Sequence, residues 1–195
     1  MPVLEETFAK DIATKKLVLI SGDVRTFNRT VLPPVYHLVA NIPYYLTGDI
    51  IRSFLSGSRL PASITFLVQK EVAERIARSK KESILSVAVK TYGTPKYQFT
   101  VPRGAFSPAP NVDSAVISIM NIASPFASPE QEKHFFDVLH AGFAHKRKLL
   151  ARNLEVVAGR EQVLSAFGAI SLSEKTRAED VPTETWHLLA KNLAP

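Results

Sequence analysis

Four consecutive residues, Asn41-Ile42-Pro43-Tyr44, combine an amide, a stiff backbone and an aromatic ring directly after an apolar segment. The amide oxygen of Asn41 accepts hydrogen bonds, and Pro43 fixes its own φ, so that carbonyl groups near it can be held toward a ligand. The ring of Tyr44 offers a flat face for stacking. This combination predicts a site for an extruded nucleobase. Asn41 and a carbonyl near Pro43 would accept the two hydrogens of its exocyclic amine, and the nitrogen lone pair would face an electrophile.

The same four residues also fit the entry to a helix. In that interpretation the asparagine makes a turn, the proline begins the helix and the tyrosine packs on the core. The tetrapeptide alone therefore leaves both interpretations open.

Apolar patterns predict the elements that position this tetrapeptide. Continuous apolar runs of this kind are typical of a parallel sheet that is covered on both faces, and Asn41 would lie at a carboxyl end of such a sheet, where ligands bind. Thr47 is the predicted N-cap of the following helix, which Gly57 ends. Predicted strands are 17–21, 35–41 and 63–69, with a hairpin formed by 96–102 and 113–121. Predicted helices are 3–16, the segment after Thr47, 70–79 and 83–91.

The character of the sequence changes at residues 123–131, where two prolines and several small residues mark a linker. The remaining chain is predicted to be helical over 129–143, 147–157, 160–168 and 182–192, with breaks at Gly142, Gly159 and Gly168. We therefore expect an α/β domain over residues 1–122 and a small all-α domain over residues 123–195.

Composition limits the class of protein. Apolar residues make up 46% and charged residues 22% of the 195 residues, which is typical of a globular protein, and no apolar run is long enough for a membrane span. The absence of cysteine excludes disulfides and thiolate metal sites and favours a cytoplasmic location. The five histidines have no metal-ligand spacing, so no metal site is predicted. A net charge of +6 favours nucleic acid as the partner, although solvated lysines would give the same value.

Four sequence blocks together resemble one family. They are "NIPYYLTGDII" (41–51), "LVQKEVAERI" (67–76), "VPRGAFSPAPNVDSAVISI" (101–119) and "FAHKRKLLARNL" (143–154). In this order they are similar to the ribosomal RNA adenine N6-dimethyltransferases, and the second block resembles the KsgA-type branch that acts on the small-subunit (16S) RNA. The resemblance covers about residues 17 to 190.

This resemblance implies a fold and an activity. The fold would be the C-terminal part of a Rossmann-like methyltransferase sheet followed by the small helical domain. The family transfers methyl groups from S-adenosylmethionine to N6 of two adjacent adenines near the 3′ end of 16S rRNA in the immature small ribosomal subunit. The enzyme would be a monomer that needs no metal.

The resemblance also implies roles for individual residues. Asn41, Pro43 and Tyr44 would be the catalytic residues, and Phe106 would cover the face of the adenine opposite Tyr44. Asp23, together with Asn41, would contact the cofactor. From sequence alone, a turn residue after a glycine is the favoured interpretation of Asp23, and Phe106 is equally a core residue.

A basic segment is the predicted RNA-binding surface. "HKRK" (145–148) would open a helix and, with Arg152 one turn later, contact phosphates; a solvated helix start is the alternative. The residues assigned to RNA are Arg103, Lys146, Arg147, Lys148 and Arg152. Further positive charge comes from Lys70, Arg75, Arg78, Lys80 and Lys81.

One feature of the family is missing from the sequence. The chain has eight glycines, none in the spacing of a glycine-rich cofactor loop, whereas the family carries such a loop upstream of the position of Met1. We therefore expect these 195 residues alone to bind the cofactor weakly or not at all and to be inactive, so that the activity implied by the resemblance would belong to a longer parent enzyme. Two alternatives to the 16S enzyme stay open: a 23S rRNA adenine methyltransferase of the antibiotic-resistance type, and a non-catalytic RNA-binding factor in ribosome assembly.

Overall fold

The computed structural model describes residues 1–57 and 59–194. Four strands and eight helices are formed in this part of the chain, and five short 3₁₀ turns connect them. The strands are β1 (His37–Asn41), β2 (Ser63–Gln69), β3 (Thr94–Val101) and β4 (Ser114–Met120). The helices are α1 (Pro2–Thr7), α2 (Ala9–Ala13), α3 (Thr47–Leu55), α4 (Lys70–Ala77), α5 (Ile84–Tyr92), α6 (Pro129–Phe143), α7 (Leu150–Ala169) and α8 (Thr183–Asn192). No described helix is both long and apolar enough to cross a membrane.

Residues Met1–Val31 form a unit of their own, and the chain from Leu32 onward forms a second unit. In the first unit the predicted helix 3–16 is two short helices, because the backbone at Phe8 leaves helical geometry (ψ 20°). The predicted strand 17–21 is wrong: this segment has no strand structure, and Val18 and Ile20 are 74% and 61% exposed. A β-branched run needs a neighbouring strand to pair with, and the described residues of this unit form none.

The second unit contains one mixed sheet with the strand order β1-β2-β4-β3. β1 and β2 are parallel, with Asn41 opposite Leu67. β4 is antiparallel to both β2 and β3, so that Ser114 lies opposite Gln69 on one side and Val101 on the other. The predicted α/β class and the predicted hairpin are confirmed. The carboxyl ends of β1, β2 and β3 and the start of β4 consequently share one edge of the sheet, which we call the site edge.

Apolar side chains cover one face of this sheet, whereas Val39 of β1, on the other face, is 74% exposed, so the predicted covering of both faces is wrong. Ile64, Phe66 and Val68 alternate along β2 and have no exposed surface, and Ile117 and Ile119 of β4 are equally buried. Side chains of α3, α4 and α5 pack against the same cluster. The central strands are therefore fixed by burial, which also fixes what lies at their ends.

Helix α3 begins differently from the prediction. Thr47 was predicted to be the N-cap, but it is the first helical residue and the N-cap is Leu46. The 3₁₀ turn Tyr44–Leu46 leads directly into α3, so no extended residue precedes the helix for a side-chain cap. After the helix ends, Gly57 adopts a φ of 89°, a conformation that favours glycine.

Helices α6, α7 and α8 enclose a second apolar cluster around Trp186, Phe167 and Leu139. Val87 of α5 also belongs to this cluster, so the second cluster is in contact with helix α5, which packs on the sheet. Helix α6 has the predicted bounds, whereas α7 begins at Leu150 rather than 147 and continues to Ala169. The predicted break at Gly159 is a kink inside α7, with a φ of 70°. The division at residues 122/123 stays a prediction.

Gly142 is a close-packed position in this second cluster. A Cβ atom added there would overlap the Trp186 ring and would lie 2.9 Å from Leu150. We therefore expect Gly142→Ala to lower the free energy of unfolding by about 1–3 kcal/mol, the usual cost of overpacking a core. Urea denaturation followed by circular dichroism measures this change.

Gly168→Ala is the matched control, since Gly168 is an exposed glycine of α7 and a Cβ atom added there would meet no other atom within 4 Å. In this position alanine favours the helix, so the control is expected to gain up to about 1 kcal/mol. Equal destabilisation of both variants would contradict the packing argument.

Candidate base-binding site and basic surface

The Asn41–Tyr44 loop lies at the site edge. Asn41 is the last residue of β1 and is exposed, whereas the next side chain, Ile42, is 6% exposed and packs in the sheet cluster. Pro43 is exposed, with φ −55° and ψ 132°. Burial of Ile42 therefore anchors a loop that presents the Asn41 amide to solvent.

The backbone carbonyls of this loop differ in their hydrogen bonds. The Pro43 oxygen accepts the N–H of Leu46 (2.9 Å), which closes the 3₁₀ turn. No described hydrogen bond ends on the Ile42 oxygen. Of the two carbonyls, that of Ile42 therefore has more free acceptor capacity, a distinction that the sequence pattern did not predict.

Tyr44 is fixed through its hydroxyl. Its Oη lies 2.6 Å from Oγ of Ser114, which is completely buried at the start of β4. The next residue, Tyr45, is 83% exposed. The bond joins residues 70 positions apart and holds the half-buried Tyr44 ring at the sheet edge. Ser114 thus positions Tyr44, which sequence analysis did not predict.

Phe106 and Arg103 lie in the loop that connects β3 to β4, so the sheet register brings them to the same edge as Tyr44. Phe106 is half-buried and Arg103 is exposed, and no stacking between Phe106 and Tyr44 is described. Asp113 holds the loop: its carboxylate accepts the Arg103 N–H and its carbonyl accepts the Lys70 N–H, both at 3.0 Å. Tyr44 and Phe106, the two residues predicted to contact the base, are thus on adjoining loops.

Asp23 belongs to the first unit. Its carboxylate accepts the backbone N–H of Arg25 (2.9 Å) and also forms an ion pair with the guanidinium group of Arg25 (2.5 Å). The side-chain and backbone hydrogen bonds from Arg25 lower the pKa of Asp23 to about 2. Asp23 therefore caps a turn, as one of the two interpretations predicted. Its exposed, ionised carboxylate retains acceptor sites for an exocyclic amine, so its contact with the cofactor stays a prediction.

The basic segment has a different local structure from the prediction. Residues 145–148 form a turn between α6 and α7, closed by Lys148 N–H to His145 O (3.0 Å), and are not part of a helix. The helix starts later because Leu149 is extended (ψ 146°). Lys146, Arg147 and Lys148 are exposed on this turn, and Arg152 is exposed in the first turn of α7.

A buried amide supports this basic turn. Nδ2 of Asn153 donates to the carbonyls of Gly142 (2.6 Å) and His145 (3.1 Å), and Asn153 itself is 4% exposed. The amide thereby joins the end of α6 to the start of the turn. The cations are consequently carried by a backbone that is held from inside the helical cluster.

Two further cations lie beside the turn. The N–H of Leu150 donates to the carbonyl of Thr176 (2.9 Å), which places the loop carrying Lys175 and Arg177 next to the start of α7. Lys175 is exposed and Arg177 lies at the end of the same loop. The sequence carries no signal for this placement, because the hydrogen bond that fixes it joins residues far apart in sequence.

No metal site is formed by the described residues, in which no group of three or more His, Asp or Glu side chains could hold an ion. The polar groups of the site edge are an amide, a tyrosyl hydroxyl, a serine and backbone carbonyls. Such groups accept or donate hydrogen bonds, and they can orient an amine without a metal ion.

The model of one protein family, ribosomal RNA adenine dimethylase, matches residues 3–195. The chain belongs to this family. Two bacterial relatives agree in name, both being called ribosomal RNA small subunit methyltransferase A. The Lactococcus lactis protein is 35% identical over 211 residues, covering 100% of this chain and 70% of the relative. The Fusobacterium nucleatum protein is 37% identical over 194 residues, covering 96% and 74%.

Solved structures confirm the fold of this adenine dimethylase family member. The 23S rRNA methyltransferase ErmE superposes with a TM-score of 0.75 at 21% identity, covering 99% of this chain and 79% of that one. A dimethyladenosine transferase from Plasmodium falciparum superposes with a TM-score of 0.77 at 21% identity, covering 93% and 74%. At this identity the likeness concerns the fold alone.

The Tyr44–Ser114 bond is testable by a double-mutant cycle. Tyr44→Phe and Ser114→Ala each remove one partner, so each is expected to lower the free energy of unfolding by about 0.5–1.5 kcal/mol. The double variant should cost little more than either single variant, because the same bond is lost in all three. Urea unfolding of the four proteins gives the coupling energy.

Tyr45→Phe controls for loss of a tyrosyl hydroxyl at an exposed position and should change the stability by less than about 0.5 kcal/mol. If the Tyr44 and Ser114 variants had fully additive effects, the hydroxyl bond would not be the support of the Tyr44 ring.

Proposed function

We propose that this protein catalyses the S-adenosylmethionine-dependent dimethylation of N6 of two adjacent adenines near the 3′ end of 16S rRNA, in the immature small ribosomal subunit. The observation that carries this proposal is the exposed Asn41 amide at the end of β1, beside a tyrosine whose ring is fixed by Ser114. Membership of the adenine dimethylase family supports the reaction class.

The amine of the target adenine would be held by two acceptors. The first is Oδ1 of Asn41. For the second, the Ile42 carbonyl is a better candidate than that of Pro43, because the Pro43 oxygen already accepts the Leu46 N–H. Pro43 then acts by fixing the direction of the loop. Acceptors on both amine hydrogens turn the nitrogen lone pair away from conjugation with the ring and toward the methyl donor.

The adenine ring would lie between two aromatic residues. Tyr44 is fixed by its hydroxyl and would stack on one face, and Phe106 on the adjoining loop would cover the other. Extruding a base costs a few kcal/mol, and stacking on an aromatic ring returns about 1–3 kcal/mol. A ring that is already oriented loses little further freedom when the base binds.

Asp23 and Asn41 are the residues of this chain proposed to hold S-adenosylmethionine. The Asp23 carboxylate has the acceptor chemistry that the cofactor's adenine amine requires, and it is ionised because its pKa is about 2. When bound, the cofactor supplies a methyl group on a positively charged sulfur. The protein's contribution to the transfer is then orientation of the amine and electrostatic stabilisation, which need no metal.

The RNA would be bound by the exposed cations of the helical part. The proposed phosphate contacts are Lys146, Arg147, Lys148 and Arg152, with Arg103 nearer the base. Lys175 and Arg177 extend this surface. The relatives named as small-subunit methyltransferases favour 16S over 23S rRNA, since the likeness to ErmE concerns only the fold. We further propose that the enzyme acts as a monomer in the cytoplasm.

Asn41→Ala tests the amine-binding role. In the protein expressed from its own gene, we expect methyl transfer to unmethylated small subunits to fall by about 10²–10³-fold, the usual effect of losing one polar group that stabilises a transition state. RNA affinity should change by less than about twofold, because this amide makes no phosphate contact. Mass spectrometry of dimethyladenosine and RNA filter binding measure the two effects.

Asn192→Ala is the control, because Asn192 is an exposed asparagine in α8 whose described side-chain hydrogen bond goes to Leu188 of the same helix. If the Asn41 variant methylated at the normal rate, the proposed role of Asn41 in binding the amine would be wrong. RNA binding by the wild-type protein without any methyl transfer would instead support the non-catalytic assembly factor.

Charge reversal at the basic turn should have the converse effect. Lys146→Glu with Arg147→Glu removes two phosphate contacts, so the slope of log affinity against log salt is expected to decrease by about 1.4 to 1.8. The rate of methyl transfer at saturating RNA should change little. Lys10→Glu with Lys16→Glu, on exposed residues of the first unit, makes the same change of net charge. Equal loss of RNA affinity in both pairs would exclude a localised phosphate surface.

A further inference from the structure

A cleft of about 480 Å³ lies between α4 and α5 on one side and the basic turn and the 3₁₀ turn Ala178–Asp180 on the other. Its volume is in the range of small-ligand sites. Apolar walls are formed by Val72, Ile84, Leu85 and Phe143, all of them half-buried. None of the residues proposed for the adenine or for the cofactor lines it.

Two carboxylates line the cleft, and both are already paired. Glu179 forms an ion pair with Lys81, and its backbone carbonyl accepts the Glu82 N–H (2.7 Å). Glu82 pairs with Lys90 (2.5 Å) and accepts a hydrogen bond from Ser86 (2.6 Å). Neutralised in this way, the carboxylates repel a phosphate less. Their remaining lone pairs can accept N–H groups.

Two cations at the cleft are available to an anion. Lys146 lines it, and no ion pair of this side chain is described. Arg75 also lines it, and its described partner is Glu71 of the same helix, whose side chain is 79% exposed. An exposed ion pair of this kind contributes little and exchanges readily for another anion.

We propose that this cleft binds an unpaired nucleotide of the RNA partner, with the base between the apolar walls, its exocyclic amine toward Glu82 and Glu179, and its phosphate between Lys146 and Arg75. The identity of the partner as RNA rests on the proposed function. The arrangement of acceptors at the base end favours adenine over uracil, because uracil has no exocyclic amine.

Helix α4 connects the cleft with the site edge. It begins at Lys70, whose N–H is bonded to Asp113 at the site edge, and its later residues Val72 and Arg75 line the cleft. Val72 and Arg75 follow Lys70 by two and five residues, which at 1.5 Å per residue is about 3 to 8 Å along the helix, or about one to two nucleotides at 3.4 Å each. One RNA strand can therefore reach both places.

The test is fluorescence anisotropy with 5′-fluorescein-labelled decanucleotides, oligo(rA) and oligo(rU), measured without cofactor. Arg75→Ala with Lys146→Ala removes the two cations proposed to hold the phosphate and leaves Lys81 paired with Glu179. Arg147→Ala with Lys148→Ala is the matched control, since it removes two cations of the same turn, neither of which lines the cleft. Val72→Trp fills the cleft and leaves the charge unchanged.

The cleft double variant is expected to lose at least about fivefold in affinity for oligo(rA) and less for oligo(rU), so the ratio of the two affinities falls toward one. The control pair should weaken both oligonucleotides by the same factor. Val72→Trp should lose oligo(rA) affinity while keeping the wild-type salt slope. If it does not fold by circular dichroism, the comparison of the two alanine pairs decides.

An unchanged affinity ratio in the cleft double variant, or wild-type oligo(rA) binding by folded Val72→Trp, would overturn the proposal. These measurements need no methyl transfer. If the wild-type protein does not methylate 16S rRNA and yet the cleft variants behave as expected, the proposed function fails and the nucleotide site stands.

Discussion

The structure of the site depends on the register of β2, which is paired on both sides. Its parallel partner places Asn41 opposite Leu67, and its antiparallel partner places Ser114 opposite Gln69. These two pairings bring residues 41 and 114 to one edge of the sheet. A slip of one residue in β4 would turn the Ser114 side chain to the opposite face. The hydroxyl of Tyr44 would then lose its buried partner.

Two loops meet at this edge of the sheet. The loop after β1 carries the amide and a tyrosine, and the loop between β3 and β4 carries Phe106 and Arg103. Asp113, directly before β4, is bonded both to the second loop and to the first residue of α4. The start of the helix and the base-contacting loop are thus held by hydrogen bonds to a single residue.

Sequence patterns predicted the elements that are fixed by local burial. The strands around residues 37–41 and 63–69, the hairpin and α6 have strong apolar or capping patterns, and the structure contains all of them. The segment 17–21 has an equally apolar pattern, but a strand forms only with a partner, which a pattern cannot supply. The start of α7 was misplaced for a similar reason, since the Leu150 N–H is bonded to the distant Thr176.

The candidate site also contains residues that the sequence pattern predicted and residues that it did not. Asn41, Pro43 and Tyr44 are contiguous and were visible as a motif. The contributions of Ser114, the Ile42 carbonyl, Lys175 and Arg177 depend on contacts between residues far apart in sequence or on which carbonyl is already bonded. Such contributions follow from the fold and have no signature of their own.

The hydrogen bonds of Asn153 have a consequence for sequence variation at the basic turn. Lysine and arginine can replace one another at residues 146–148 with retention of charge, because these side chains are exposed. Asn153 cannot be exchanged in this way: without its Nδ2 the Gly142 and His145 carbonyls lose their shared donor. Among homologues, therefore, an uncharged residue of α7 should vary less than the cations whose position it determines.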